Sequence, residues 1–369
     1  MFYSEMCKEM IKVSFITVHV GFNFGSKLQA IATSEVLKKL GYLPICVNYV
    51  PSRVTYKRYW QTSFSSILKF LRRFLFFPIQ VITRYKFDSY LNKHCKVSKP
   101  IYAEDDFIKR CPKADIYISG SDQLWNYTHN EGNDTHYFFD GIVGKKIAYA
   151  SSISMTSLPE DYAAYVKEQL SQYAAISVRE QSAVELLGKM GVNATHLLDP
   201  TFMLNKEEWK TFASKRLVKD KYLFVYLPYN IKDKDLIYRS VRKIAKEKNL
   251  KVVSYSDNVI KDKYADKTIY FVNPGEVLSL ILHAEVVMTN SFHGTAFSIN
   301  LNKQFWTYMP SSFSTRITSI LNLCGLNSRL LEEEISEEQM NEIADFSHTN
   351  NVLQQERQKA YDFLTKALQ

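Results

Sequence analysis

The chain is poor in the two residues that most often interrupt regular structure, with 12 glycines and 10 prolines in 369 residues. So little of either excludes collagen-like, linker-like and low-complexity chains. Cysteine is scarce too. Cys7, Cys46, Cys95, Cys111 and Cys324 are odd in number and scattered, with no C-x-x-C pair and no Cys/His spacing suited to a metal ion. Neither a disulfide framework nor a metal site is expected, and a reducing compartment is. No run of about 18 apolar residues occurs, so no segment is expected to span a bilayer. The first apolar run, residues 11–20, follows Glu5 and Glu9 and leads into Gly21-Phe22-Asn23 without a small-residue cleavage site. It is unlike a secretion signal, and the N-x-T sequons at Asn126, Asn133 and Asn193 therefore carry no expectation of glycosylation.

What is present is an ordinary globular composition with an uneven charge. Hydrophobic residues make up 46% and aromatic residues 14%, and the formal charge is +9. Eleven Lys/Arg between Arg53 and Lys99 face one acid, Asp88, so this segment carries +10 and the rest of the chain sums to −1. Within it, residues 64–83 mix leucine, isoleucine and five phenylalanines with Lys69, Arg72 and Arg73, and a break is expected at Pro78. This composition suits a helix lying in a membrane interface, with the apolar face in lipid and the cations toward phosphates. A helical insertion packed on its own domain is the alternative. Nucleic acid is not expected as a partner, because no recognised binding motif accompanies the charge.

Length suggests two domains at about 100–200 residues each. Short apolar, β-rich runs alternate with amphipathic stretches, as in parallel sheets built from βαβ units. The first cycle predicts strands at 11–20, 44–49, 115–119, 145–151, 175–178 and 196–198, with helices at 25–40, 161–173 and 179–188. A second begins after the charged stretch 215–221, with strands at 222–227, 251–254, 268–272, 285–289 and 304–308. The expected division is a Rossmann-like domain over 1–212 with a basic aromatic insertion at about 53–112, a second Rossmann-like domain over 213–331, and a helical segment over 332–369. Tyr361, Leu364 and Leu368 of that segment form a face suited to packing back on the first domain.

Ligands of open α/β sheets collect at the carboxyl ends of strands and the helix N-termini that follow, where free N–H groups favour anions. Four sequence features fall on such positions. In His19–Ser26, glycines let the backbone turn, and Asn23 and Ser26 either bind a ligand or cap the helix; the spacing is not that of a dinucleotide fingerprint. In Ser119–Asn126, the grouping of Ser121, Asp122, Gln123, Trp125 and Asn126 suits a sugar, through hydrogen bonds and ring stacking, and Asp122 is a candidate base. Arg179 places a planar cation at a strand end, matched to carboxylate or phosphate, with a structural salt bridge as the alternative. Last, Thr289–Thr295 offers Asn290, Ser291, Gly294 and Thr295 as an anion cradle and His293 as a proton carrier.

In this order the features resemble the polysaccharide pyruvyl transferase family. The resemblance rests on residues 23–30, 119–126, Val178-Arg179-Glu180, Leu198-Asp199-Pro200-Thr201, 290–295 and 314–317, and covers about residues 11 to 330. It implies a GT-B-like pair of Rossmann-like domains facing a cleft. It also implies phosphoenolpyruvate as co-substrate, with no metal or other cofactor, and a saccharide acceptor, lipid-linked or free, converted to a cyclic pyruvate ketal. A cytoplasmic enzyme at the inner membrane face, working on surface polysaccharide, follows from it. Carried over residue by residue, Arg179 binds the donor, His293 transfers a proton or stabilises phosphate, and Asp122 serves the acceptor hydroxyls. Many members of the family have Arg-Leu-His where this chain has Ser291-Phe292-His293, so one donor cation is missing. Arg316 is the first candidate replacement and Lys27 the second. The rival expectations are a nucleotide-sugar glycosyltransferase of the same outline and a non-catalytic saccharide-binding protein.

Overall fold

The structure, a computed structural model, describes residues 10–61, 67–128, 134–230, 233–256, 260–310 and 315–369. Cys7, Asn133, Ser314, residues 64–66 of the basic stretch, and the side chains of Lys69 and Arg72 lie outside that description.

Six strands form a first sheet: β1 (Lys12–Ile16), β2 (Leu43–Cys46), β3 (Ile116–Ser119), β4 (Lys145–Ser151), β5 (Tyr173–Val178) and β6 (Thr195–His196). They pair in parallel in the order β2-β1-β3-β4-β5-β6. A second sheet holds β7 (Tyr222–Tyr226), β8 (Lys251–Ser256), β9 (Lys267–Tyr270), β10 (Val286–Thr289), β11 (Gln304–Tyr308) and β12 (Leu330–Leu331), parallel in the order β9-β8-β7-β10-β11-β12. Strands buried on both faces read as unbroken apolar runs, and all five residues of Tyr222-Leu223-Phe224-Val225-Tyr226 are buried. Each sheet has one point where the chain reverses its direction of travel across the sheet, between β1 and β3 and between β7 and β10. Crevices at the strand carboxyl ends form at such points.

Helix α1 (Phe24–Lys39) follows β1 and is buried along almost its whole length. A helix buried on nearly all sides lies between layers, its buried polar side chains among them Ser26, Lys27 and Gln29, and Phe24 meets Tyr226 and Phe297 of the second unit at ring-centroid distances of 5.1 and 5.9 Å. Buried apolar side chains from both sheets and from the terminal helix form one contiguous cluster. Arg357 of that helix donates to Phe202 O at 2.6 Å and to Asn300 Oδ1 at 2.8 Å, and Asn300 donates in turn to Thr201 O and Leu204 O. The helix thus ties a turn of the first unit to the second.

Between β2 and β3 lie α2 (Tyr56–Gln61) and α3 (Ile67–His94). The break expected at Pro78 does not occur, and α3 runs through it. Proline frees the carbonyl of residue i−4, and here both Phe74 and Pro78 face solvent, where water can satisfy it.

Candidate functional site

Five further helices complete the frame of the site: α4 (Gln181–Lys189), α5 (Lys234–Glu247), α6 (Pro274–His283), α7 (Phe292–Asn300) and α8 (Thr315–Cys324). At the first reversal point the chain leaves β3 through Gly120, whose φ is +132°, and reaches Asp122, whose φ is +81°. A Cβ on Gly120 would lie 2.0 Å from Tyr149 O, so only glycine fits. Asp122 is thereby turned inward, where Oδ1 accepts from Arg179 Nη2 at 2.9 Å and Oδ2 from Ser26 Oγ at 2.9 Å. The other arm of the Arg179 guanidinium donates to Asp199 Oδ2 at 2.6 Å, and Ser121 Oγ donates to the same oxygen at 3.1 Å. Asp199 is fixed by Thr201, whose N–H and hydroxyl both donate to Oδ1. One buried arginine therefore bridges two buried carboxylates.

The second reversal point supplies the rest. Ser291 caps α7, accepting from Gly294 N–H, and brings His293 to within 4.0 Å of Asp199 Oδ2. His293 also packs on the start of α1: a Cβ on Gly25 would lie 2.0 Å from its Cγ. Phe292 is shared by two cations, with the Arg179 Cζ 5.0 Å and the Arg316 Cζ 5.3 Å from its ring centroid. Arg316, from α8, reaches Gln123, whose amide oxygen accepts from Nη2 at 2.6 Å. His293 Nε2, Arg179 Nε and Arg316 Nε are buried without a hydrogen-bond partner among the described residues. Such groups at a shared point mark a place where a polar ligand can be held.

Electrostatics follow from this packing. Burial alone would raise both carboxyl pKa values, but Arg179 and His293 outweigh it, holding Asp122 well below the usual carboxylate range and lowering Asp199 in the same direction. Arg179, between them, is held charged more firmly than a free arginine despite its burial. Arg316 is pushed the other way by burial and then by the charge of Arg179. His293 is lowered to about 4 by burial against the opposing pull of the two aspartates, so it rests neutral.

The sequence-derived candidates divide into three groups. Asp122, Arg179, His293, Arg316, Ser121 and Gln123 come together in the cluster. Asn290 holds the Tyr229 backbone, its Nδ2 donating to Tyr229 O at 2.9 Å, while Thr295 donates to Thr307 and Gly294 packs against Thr289. Asn23 caps α1 through Gly25 and Ser26. These residues build the turns around the cluster rather than line an anion cradle. Lys27 and Trp125 fall elsewhere, and Asn126 touches the cluster through Gln123, its Nδ2 2.9 Å from that side-chain amide. Lys27 is buried against Asp88 of α3. Trp125 is stacked on Phe138 in the core at 5.4 Å and offers no face to a sugar. Asn126 is equally buried and accepts from the Thr128 hydroxyl.

Sequence reasoning left Asp199 and Phe292 without a role in the site, and Ser26, expected to bind a ligand or cap the helix, instead donates to Asp122. Asp199 had a local signal, an Asp-Pro-Thr turn directly after an apolar run. Phe292 had none, because only the approach of two arginines from separate elements gives it a function.

Space is distributed unevenly. Around Arg179, Asp199, Phe292 and Arg316 the cavity is about 10 Å³, roughly the room for one water. A cleft of about 850 Å³ opens at the carboxyl ends of β7 and β8, lined by Phe22, Asn23, Tyr229, Lys234, Tyr255 and Lys263 among others.

Two Rossmann-like units packed over a shared, charged cluster define a GT-B fold. The UDP-N-acetylglucosamine 2-epimerase of Methanocaldococcus jannaschii, solved with UDP-GlcNAc and UDP, is similar with a TM-score of 0.51 at 11% identity, over 97% of this chain and 99% of that one. The UDP-N-acetylglucosamine 2-epimerase of Rickettsia bellii has a TM-score of 0.50 at 12% identity, over 97% and 95%. At such identities the likeness concerns the fold. No curated protein matches the chain. The polysaccharide pyruvyl transferase family model matches residues 23–312, and the chain belongs to that family, which makes it a transferase of polysaccharide biosynthesis.

Proposed function

We propose that the chain moves the pyruvyl group of phosphoenolpyruvate onto two hydroxyls of one saccharide as a cyclic ketal. The observation that carries this reading is the convergence of Arg179, Arg316 and neutral His293 on Asp122 and Asp199, with partnerless buried nitrogens on all three. A small trianion needs this kind of paired guanidinium binding. In the reaction the donor methylene takes a proton, one hydroxyl adds to C2, the C2–O bond to phosphate breaks, and the second hydroxyl closes the ring. Of the two hydroxyl protons released, one ends on the new methyl group and one leaves with phosphate. Arg179 and Arg316 hold the donor's charges, and Asp122, permanently ionised, accepts from an acceptor hydroxyl. His293 acquires its proton when the donor arrives, because a nearby anion raises imidazole basicity. The cluster is closed around one water's volume, and its halves belong to different units, so the donor is admitted when the two units part.

The test is phosphate release from phosphoenolpyruvate with a panel of hexosides and lipid-linked saccharides. Acceptor-dependent release with a product heavier by one pyruvyl ketal is expected. A nucleotide-sugar transfer reaction is the second reading, favoured by the 850 Å³ cleft of tyrosines and lysines at the carboxyl ends of β7 and β8. Tight UDP binding with no effect of phosphoenolpyruvate would move it to first place.

We also assign α3 to an anionic membrane surface. Ile67, Leu71, Phe74, Leu75, Ile82 and Tyr85 are all exposed and, at 100° per residue, fall within one arc of the helix. They sit in the segment that carries +10. Co-sedimentation with phosphatidylglycerol vesicles and not with phosphatidylcholine vesicles is expected, and to fall at least about tenfold in the Phe74→Ser/Leu75→Ser variant. Equal recovery with both lipids would refute the assignment.

A further inference from the structure

Three successive residues in the first turn of α1 each face a different neighbour. Gly25 packs so closely on the His293 ring that a Cβ there would lie 2.0 Å from its Cγ. Ser26 Oγ donates to Asp122 Oδ2 at 2.9 Å. Lys27 Nζ donates to Asp88 Oδ1 of α3. At about 100° per residue the three directions span about 200° around the helix, so together they fix the rotation of the turn about its axis. Two of the contacts reach the charged cluster, and the third reaches α3. Lys27 is costly in this place. Its side chain is fully buried, whereas that of Asp88 is 43% exposed and also meets Arg84 Nε at 3.7 Å. Burial lowers the Lys27 pKa below the usual lysine value in spite of Asp88, so the pairing does not offset the desolvation of the ammonium. An apolar side chain of similar length would serve packing as well or better.

What the pair provides is a fixed point. Two further residues of α3 hold it in place: Lys86 Nζ donates to Phe271 O, after β9, and the Tyr90 hydroxyl to Phe212 O, before β7. Tyr90 is wedged there, since a Cβ on Gly275 would lie 2.5 Å from its ring. Lys86 and Tyr90 are one turn apart, and Asp88 lies on the opposite face of the helix. Phe22, in the turn before α1, also meets Phe87 edge-on, with ring centroids 6.5 Å apart. We infer that Lys27 and Asp88 are positioning residues for the cluster: their ion pair ties the first turn of α1 to α3, and through Gly25 and Ser26 it holds the His293 ring and the Asp122 carboxylate in place. The kinetic part of this inference rests on the reading under Proposed function, whereas the geometry it concerns does not.

Lys27→Met, Asp88→Asn and Asp88→Glu, made in the full chain with isotope-labelled histidine, test this by thermal melting, by the His293 imidazole resonance and by kinetics. The resonance is assigned through its loss in His293→Gln. Lys27→Met is expected to melt no lower than wild type and yet to shift the His293 resonance. It should also lower kcat for acceptor-dependent phosphate release at least about tenfold with KM for phosphoenolpyruvate little changed, as when reacting groups are displaced by about 1 Å. Asp88→Asn, which leaves the ammonium buried without its carboxylate, should shift the resonance too. Asp88→Glu keeps the charge at a half-exposed position and should return resonance and rate toward wild type. An unmoved His293 resonance in Lys27→Met overturns the inference, whether or not the melting temperature falls, because the pair would then only support the fold. So does an Asp88→Glu variant that behaves like Asp88→Asn. If the resonance responds as expected but wild type releases no phosphate from phosphoenolpyruvate with any acceptor, the proposed reaction fails and the positioning role stands.

Discussion

Replacing Arg179 by methionine is expected to lower the unfolding free energy by about 3–5 kcal/mol. The substitution removes the one cation that bridges Asp122 and Asp199 and leaves two ionised carboxylates buried with each other. Lysine is not an adequate replacement, because a single ammonium cannot match the two-armed geometry at 2.9 and 2.6 Å. Restoring neutrality should recover part of the loss: the Arg179→Met/Asp122→Asn double variant is expected to melt above the single variant in urea. The pH dependence has a definite sign. Both carboxyls are depressed in the folded state, so their stabilisation is complete above their unfolded pKa of about 3.9 and is lost as pH falls through the lower folded values. Wild type should therefore destabilise in strong acid, and the methionine variant much less so. A loss below about 1 kcal/mol for Arg179→Met would mean that the bridge is offset by its own desolvation.

His293→Gln is expected to slow acceptor-dependent phosphate release by about 10²–10⁴ while the protein remains folded. Gly25→Ala should approach the same loss with the imidazole still present, since the added methyl would meet the ring at 2.0 Å and displace it. Agreement between the two variants separates the position of the ring from its mere presence. Stability supplies an independent readout. The His293 pKa falls from about 6.5 unfolded to about 4 folded. The unfolded chain binds more protons in that window, so stability is full above about 6.5 and is lost as pH falls toward 4. His19, His94 and His196 are shifted in the same direction, so His293→Gln should flatten this slope without abolishing it. Wild-type turnover in the variant would assign the proton transfer to another group.

Much of the frame was legible because strand and helix periods are local properties. The strands at 145–151 and 304–308 fall where the apolar runs put them, and the glycine at 120 marks a turn that admits no side chain. The helix through Pro78 was misread, because its continuation depends on the proline facing water, which the sequence does not state. Trp125 was misread for a related reason. An indole beside a strand-end turn serves equally as a sugar platform or a core residue, and its stacking on Phe138 is settled by a segment outside the turn.

The sequence by itself determined the alternation of strands and helices, the placement of polar turns at strand ends, and the concentration of positive charge in residues 53–99. These follow from hydrophobic period, turn chemistry and simple counting, none of which requires distant parts of the chain to meet. Only the tertiary structure decided which of the polar residues share a site. Asp122 and Asp199 are 77 positions apart, yet one guanidinium joins them. Ser291 and Asn290 look like ligands and act as a cap and a backbone brace, Lys27 turns to Asp88, and Phe292 becomes the common contact of two arginines. The physical reason is that burial lets a charge persist only where a partner is already present, and which partner is present depends on how the two sheets and α1 pack together.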